Sequence, residues 1–102
     1  MPLLTVISGA ANTGKSLIQE ALMAQTDYVL IARDVIRPTF GRTVSEGAIT
    51  LVMVDLARSL LNSSYNVLAV AQNLHPVDRK RWEDVARETG SACRWVHVEM
   101  PM

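Results

Sequence analysis

The stretch Gly9-Ala10-Ala11-Asn12-Thr13-Gly14-Lys15-Ser16 fits the pattern G-x-x-x-x-G-K-[ST] in full. Each part of that pattern has a chemical task. The glycines let the backbone curl so that successive N–H groups converge on phosphate oxygens. A helix opening near Gly14 adds the positive end of its dipole. The Lys15 ammonium has the reach for β- and γ-phosphates, and the Ser16 hydroxyl suits Mg²⁺. The same pattern also arises by chance at ordinary strand–turn–helix junctions. Here it follows an apolar run and precedes helical periodicity, which is the context a phosphate site requires. Residues 9–16 are therefore expected to bind a nucleoside triphosphate, ATP or another NTP.

A second cluster is Arg33-Asp34 with Arg37 three residues on. A carboxylate placed beside bound phosphates can take the proton of an attacking hydroxyl, the base role in phosphoryl transfer. The neighbouring guanidiniums suit phosphates of the donor or acceptor. A surface ion pair ahead of a proline turn is the competing reading. Asn73 can orient a water or an acceptor group, or can simply form a turn or cap a helix. No acid stands in Val70-Ala71-Gln72, where many phosphate-loop enzymes carry a metal-holding carboxylate. Arg79, Lys80 and Arg81 read mostly as a solvated helix face, with room for one of them to face the cleft; Asp55 reads as a metal ligand or, more simply, as solvent-facing or paired with Arg58; and Trp82 reads as core. His75 reads as a helix-start residue, and His97 and Glu99 as strand surface. No spacing suggests a zinc site or a nucleophile–His–acid triad.

The elements that must position these residues follow from hydrophobic patterning. Leu3 to Ser8, Tyr28 to Ala32, Asn66 to Gln72 and Ala92 to Glu99 are expected strands. Tyr28 to Ala32 lacks polar alternation, as in a strand covered on both faces. Lys15 to Gln25 is an expected helix with Leu17, Ile18, Ala21 and Leu22 on its apolar side. Arg33 to Arg42 is expected to be irregular, with Pro38 and Gly41 as breakers. Thr43 and Glu46 form a candidate capping box for a helix running to about Asn62, with Ile49, Val52, Leu56 and Leu60 on one face. Pro76 opens a helix that carries Val77, Trp82, Val85 and Ala86 and ends near Gly90. Strands alternating with three helices imply an α/β fold with a mostly parallel sheet between helical layers. Ligands in such folds bind outside the carboxyl ends of the strands, which points back to Gly9–Ser16, Arg33–Arg37 and Gln72–Pro76.

Composition sets outer bounds. A chain of 102 residues with 49% hydrophobic and 20% charged residues allows one small domain with a core. Ten basic residues balance ten acidic ones, so net charge offers no general attraction to nucleic acid or anionic membranes. The single cysteine, Cys93, excludes an internal disulfide framework and fits a reducing compartment. No run is long enough to span a membrane. The expectation is a single domain over residues 1–102, cytoplasmic, with no membrane partner.

These blocks together resemble the kinase domain of phage-type polynucleotide 5′-hydroxyl kinases, within the P-loop kinase superfamily. The resemblance rests on the first strand with Gly9–Ser16, on Ile31-Ala32-Arg33-Asp34-Val35-Ile36-Arg37, and on Gln72-Asn73-Leu74-His75-Pro76 with Arg79 and Trp82. It implies a three-layer P-loop fold with strand order 2-3-1-4, placing strands two and four at the edges. It implies that Lys15 and Ser16 bind ATP and Mg²⁺, that Asp34 is the general base, and that Arg37 holds the acceptor's phosphate. It also implies that the helix from Thr43 covers the acceptor side. The family carries an acid followed by Thr or Ser where this chain has Ala71-Gln72. It also continues past strand four into an arginine-bearing lid, whereas this sequence stops at Met102. The resemblance thus leaves three routes: an arginine supplied in trans, a resident one such as Arg79, or slow or absent catalysis.

Two readings of function remain. One is a phosphotransferase moving the γ-phosphoryl of ATP to a hydroxyl, with a nucleic-acid 5′-end or a nucleoside as acceptor. The other is a nucleotide-binding module with impaired catalysis that acts by assembly with a partner. A Val-rich edge at strand four predicts a homo-oligomer.

Overall fold

The computed structural model describes residues 1–9, 15–25, 27–71 and 76–98. Strand β1 spans Leu3–Ser8, β2 Tyr28–Ala32, β3 Asn66–Ala71 and β4 Ala92–His97; the helices are α1 Lys15–Gln25, α2 Arg33–Phe40, α3 Glu46–Asn62 and α4 Pro76–Thr89. The strands form one sheet in the order β2-β3-β1-β4, with β2 and β4 at the edges. Every pairing is parallel, so all four carboxyl ends lie along the same margin of the sheet. Register places Ser8 opposite Ala71 on one side and His97 on the other.

The connection from β1 to β2 runs one way along the sheet, and those from β2 to β3 and β3 to β4 run the other way. Right-handed crossovers then put α1 on one face and α3 and α4 on the opposite face. The core divides accordingly. Leu4, Val6, Ile31, Val67 and Ala69 pack with Ile49, Met53, Ala57 and Leu61 of α3 and Trp82, Val85 and Ala86 of α4. Ile7, Tyr28, Leu68 and Val98 face Ile18, Leu22 and Met23 of α1. Strand β1 is buried on both faces because its side chains alternate between the two layers.

Several expected details differ. The stretch from Arg33 is a helix to Phe40, not irregular chain. Pro38 lacks the N–H that would bond the Asp34 carbonyl. The residue is exposed, so that carbonyl can turn to water. Gly41, at φ +72°, ends the helix in a backbone conformation that favours glycine. The breakers therefore shorten α2 rather than prevent it.

Helix α3 is capped by Ser45, whose hydroxyl accepts from the Ala48 N–H at 3.1 Å, and not by Thr43. Its buried stripe is Ile49, Met53, Ala57 and Leu61 with Val54; Leu56 is exposed, and Val52 and Leu60 are half-buried. In α1 Leu17 faces solvent, and in α4 Val77 does. Val29 and Leu30 are only half-buried, as the edge position of β2 dictates. Among the described residues no helix is long and apolar enough to cross a membrane.

Candidate functional site at the carboxyl margin of the sheet

Strand β1 delivers its last residue, Ser8, to the sheet margin, and Gly9 follows at φ +153°, where side-chain-bearing residues rarely sit. The motif residues Ala10, Ala11, Asn12, Thr13 and Gly14 lie outside the described residues, as does Asn73. Helix α1 starts at Lys15, immediately after them, and has no acidic residue in its first turn. A strand thus ends before the motif and a helix begins at its Lys15, and that helix carries no acidic residue in its first turn to offset its positive end.

The second cluster sits at the same margin, beyond β3. Arg33 and exposed Asp34 open α2 directly after β2, so Asp34 leaves the sheet edge in the first turn of a helix. The two arginines do not flank it as free cations. Arg33 Nη1 donates to Glu46 Oε2 at 2.7 Å and to the Glu46 carbonyl at 3.1 Å, and its Nη2 donates to Thr50 Oγ1 at 2.5 Å. Arg37 Nε lies 3.3 Å from Glu46 Oε1, and its Nη1 donates to the Val44 carbonyl. One carboxylate on α3 therefore bridges both guanidiniums of α2.

His97 is a margin residue that strand-surface reasoning passed over. Its Nδ1 lies 3.0 Å from Ser8 Oγ, and the Val98 N–H donates to the Ser8 carbonyl at 2.8 Å. These contacts tie the end of β4 to the residue just before Gly9. The signal was register: residue 97 meets residue 8 only once β4 is known to pair with β1.

The other polar residues behave as structure. Asp55 pairs with Arg58 at 2.6 Å, and Arg58 also reaches Glu88 at 3.0 Å. The Glu88 hydrogen bond is the chief reason the Arg58 pKa is raised, opposed by desolvation and aided by Asp55. Arg79 lies over the Trp95 ring, 4.9 Å from its centroid, and pairs with Glu83 at 3.4 Å. Arg81 pairs with Asp78 at 3.3 Å. Trp82 is core, as its helical spacing predicts. Among the described residues no group of three or more His, Cys, Asp or Glu is arranged to hold a metal ion.

A family model described as AAA domain matches residues 4–102. The chain belongs to that family, with the fold of the P-loop kinases. No curated protein is matched. Among solved structures it is similar to a candidate kinase from Chloroflexus aurantiacus, with TM-score 0.80 and 16% identity over 95% of this chain and 59% of that one. A chain of the Pnkp1/Rnl/Hen1 complex aligns with TM-score 0.81 and 24% identity over 98% of this chain and 36% of that one. A sugar kinase from Janibacter sp. HTCC2649 aligns with TM-score 0.70 and 14% identity, over 99% and 62% respectively. At these identities the likeness is one of fold. The chain spans between 36% and 62% of the length of these three relatives.

Proposed function

We propose that residues 1–102 form a P-loop kinase-like unit that transfers the γ-phosphoryl group of ATP to a hydroxyl acceptor. A nucleic-acid 5′-end or a nucleoside is the acceptor class the residues favour. The observation that carries this reading is the parallel sheet in the order β2-β3-β1-β4. It sets the end of β1, which leads into the motif, and the start of α2 with Arg33 and Asp34 along one margin, which supports this reading. Lys15 and the loop N–H groups would hold the triphosphate. Asp34 would accept the acceptor's proton as its oxygen attacks the γ-phosphorus in line. The new P–O bond forms as the bond to the β-phosphate oxygen breaks, and ADP leaves. Arg37 would neutralise a phosphate of the acceptor.

Mg²⁺ fits the available donors in one way. With no carboxylate cage among the described residues, an ion would come with the nucleotide, held by phosphate oxygens and the Ser16 hydroxyl. That mode suits an ion that dehydrates reluctantly. When bound it would offset charge on the transferring group.

The test is transfer of labelled γ-phosphate from Mg-ATP to 5′-hydroxyl DNA and RNA, nucleosides and simple sugars, with Lys15→Ala and Asp34→Asn as controls. Transfer to one acceptor, lost in both variants, supports the reading. ATP binding that depends on Lys15 without any transfer would instead favour the nucleotide-binding module acting through assembly. Exposure of Ala92, Cys93 and Arg94 on edge strand β4 supports pairing with a second copy. A monomer mass that does not change with concentration in light scattering would exclude it.

A further inference from the structure

We propose that Glu46 is a positioning residue for the acceptor side, and that it assigns different tasks to Arg33 and Arg37. The inference rests on the kinase reading above, which gives Arg37 an acceptor phosphate to hold. Helix α2 needs an external anchor. It has no buried residue, and its N-cap, Ala32, makes no side-chain hydrogen bond. Only Ile36 of this helix packs, partly buried, against the core. What sets the roll of the helix is therefore polar: Arg33 and Arg37, one helical turn apart, both gripped by Glu46 at the start of α3.

The two grips are not equivalent. Arg33 uses both terminal nitrogens, on Glu46 and Thr50. Thr50 is itself held by the Glu46 carbonyl at 3.1 Å. Arg33 is thus a strut between α2 and α3. Arg37 spends Nε on Glu46 and Nη1 on the Val44 carbonyl. Its Nη2 takes part in neither of these contacts as they stand, and would be the nitrogen offered to an anion. With Asp34 on the same turn the cluster of two guanidiniums and two carboxylates is neutral overall, so a phosphate would be drawn by the directed N–H groups of Arg37 and not by net charge. Fixing α2 also fixes Asp34, one residue from Arg33. The acceptor phosphate itself belongs to the kinase reading above; what the clasp adds is where Arg37 stands to meet it. The opposite role, with Glu46 plugging an anion seat that substrate must clear, predicts effects of opposite sign.

The experiment uses the full chain with Glu46→Gln, Arg37→Ala and the double variant, and measures transfer to thymidine 3′-monophosphate and to thymidine. Glu46→Gln is expected to raise the KM for thymidine 3′-monophosphate by about tenfold, less than the roughly hundredfold that a full ångström of misplacement can cost, because Arg37 keeps its Val44 contact. It should leave the KM for ATP unchanged and add nothing to the acceptor KM in the Arg37→Ala background, where only the Arg33 strut, and through it Asp34 and kcat, is left to loosen. A lower acceptor KM in Glu46→Gln, or an equal effect with and without Arg37, overturns the proposal. If the unmodified chain transfers phosphate to neither compound, the kinase reading has failed on its own. The inference is then decided by the Arg37 Nε–Hε resonance, identified by its loss in Arg37→Ala. A shift on adding thymidine 3′-monophosphate that disappears in Glu46→Gln upholds it, and an equal shift in both proteins, or none in either, overturns it.

Discussion

Replacing Tyr28 by Phe removes one oxygen atom from the interior, and the surroundings of that oxygen determine the cost. The Tyr28 hydroxyl crosses the sheet from β2 to Thr5 of β1, with Oη and Oγ1 2.7 Å apart. Thr5 is 0% exposed and Tyr28 7%, so water cannot replace the lost partner at Thr5 Oγ1. A buried hydroxyl left unsatisfied costs about 1–3 kcal/mol. Arg94 Nη2 also donates to the Tyr28 hydroxyl, at 3.2 Å, but Arg94 is exposed and recovers that bond from solvent. In a domain of this size the expected loss lowers the thermal midpoint by about 4–8 °C per kcal/mol. Pairing Tyr28→Phe with Thr5→Val removes both polar groups at nearly constant shape. The double variant should return to within about 1 kcal/mol of the parent, because two apolar groups leave nothing unsatisfied. Urea unfolding of the four proteins gives the cycle directly. Destabilisation of the double variant by the full sum of the single costs would refute the reasoning, as would a Tyr28→Phe variant as stable as the parent.

Further outcomes follow from other contacts. Ser45→Ala should cost about 1 kcal/mol, typical of a lost N-cap, while Thr43→Ala should be close to neutral; urea midpoints that reverse this order would return the cap to Thr43. Desolvation pushes the Cys93 thiol up, Glu83 adds to the effect, and Arg79 opposes it, although the residue as a whole is exposed. Because the thiolate is the nucleophile, a raised pKa leaves less of it at a given pH. Iodoacetamide labelling at pH 8 should therefore lag behind that of a free cysteine peptide, and its rate should go on climbing at pH values where the peptide's has levelled off; labelling faster than the peptide at pH 8 would contradict the assignment. Arg33→Ala should loosen α2 from α3 and expose the amides of residues 33–40 to faster hydrogen exchange, and unchanged exchange there would show that the clasp does not hold this helix.

Much of the fold is a local property of the chain. Apolar runs such as Val67–Val70 have one low-energy destination, the middle of a sheet covered on both sides. Helical spacing in α4 put Trp82, Val85 and Ala86 in the core, where they are found. The motif of residues 9–16 is legible for the same reason, since a pattern of this kind works through the backbone and reach of eight consecutive residues.

Contacts between elements distant in sequence decided the rest. Pro38 and Gly41 argue locally against a helix, yet α2 forms with Arg33 and Arg37 anchored on Glu46, a residue nine or more positions away. Thr43 and Ser45 both have the chemistry of a cap, and the backbone entering α3 selects Ser45. Which stripe of α3 is buried depends on where the sheet lies beneath it, which its own periodicity does not specify. His97 and Ser8 are 89 residues apart and become neighbours only through the pairing of β4 with β1. Short-range sterics and burial operate along the chain and leave a trace in it. Ion pairs and hydrogen bonds across a sheet margin depend on how separate segments pack in three dimensions, so residue types alone do not reveal which arginine meets which carboxylate.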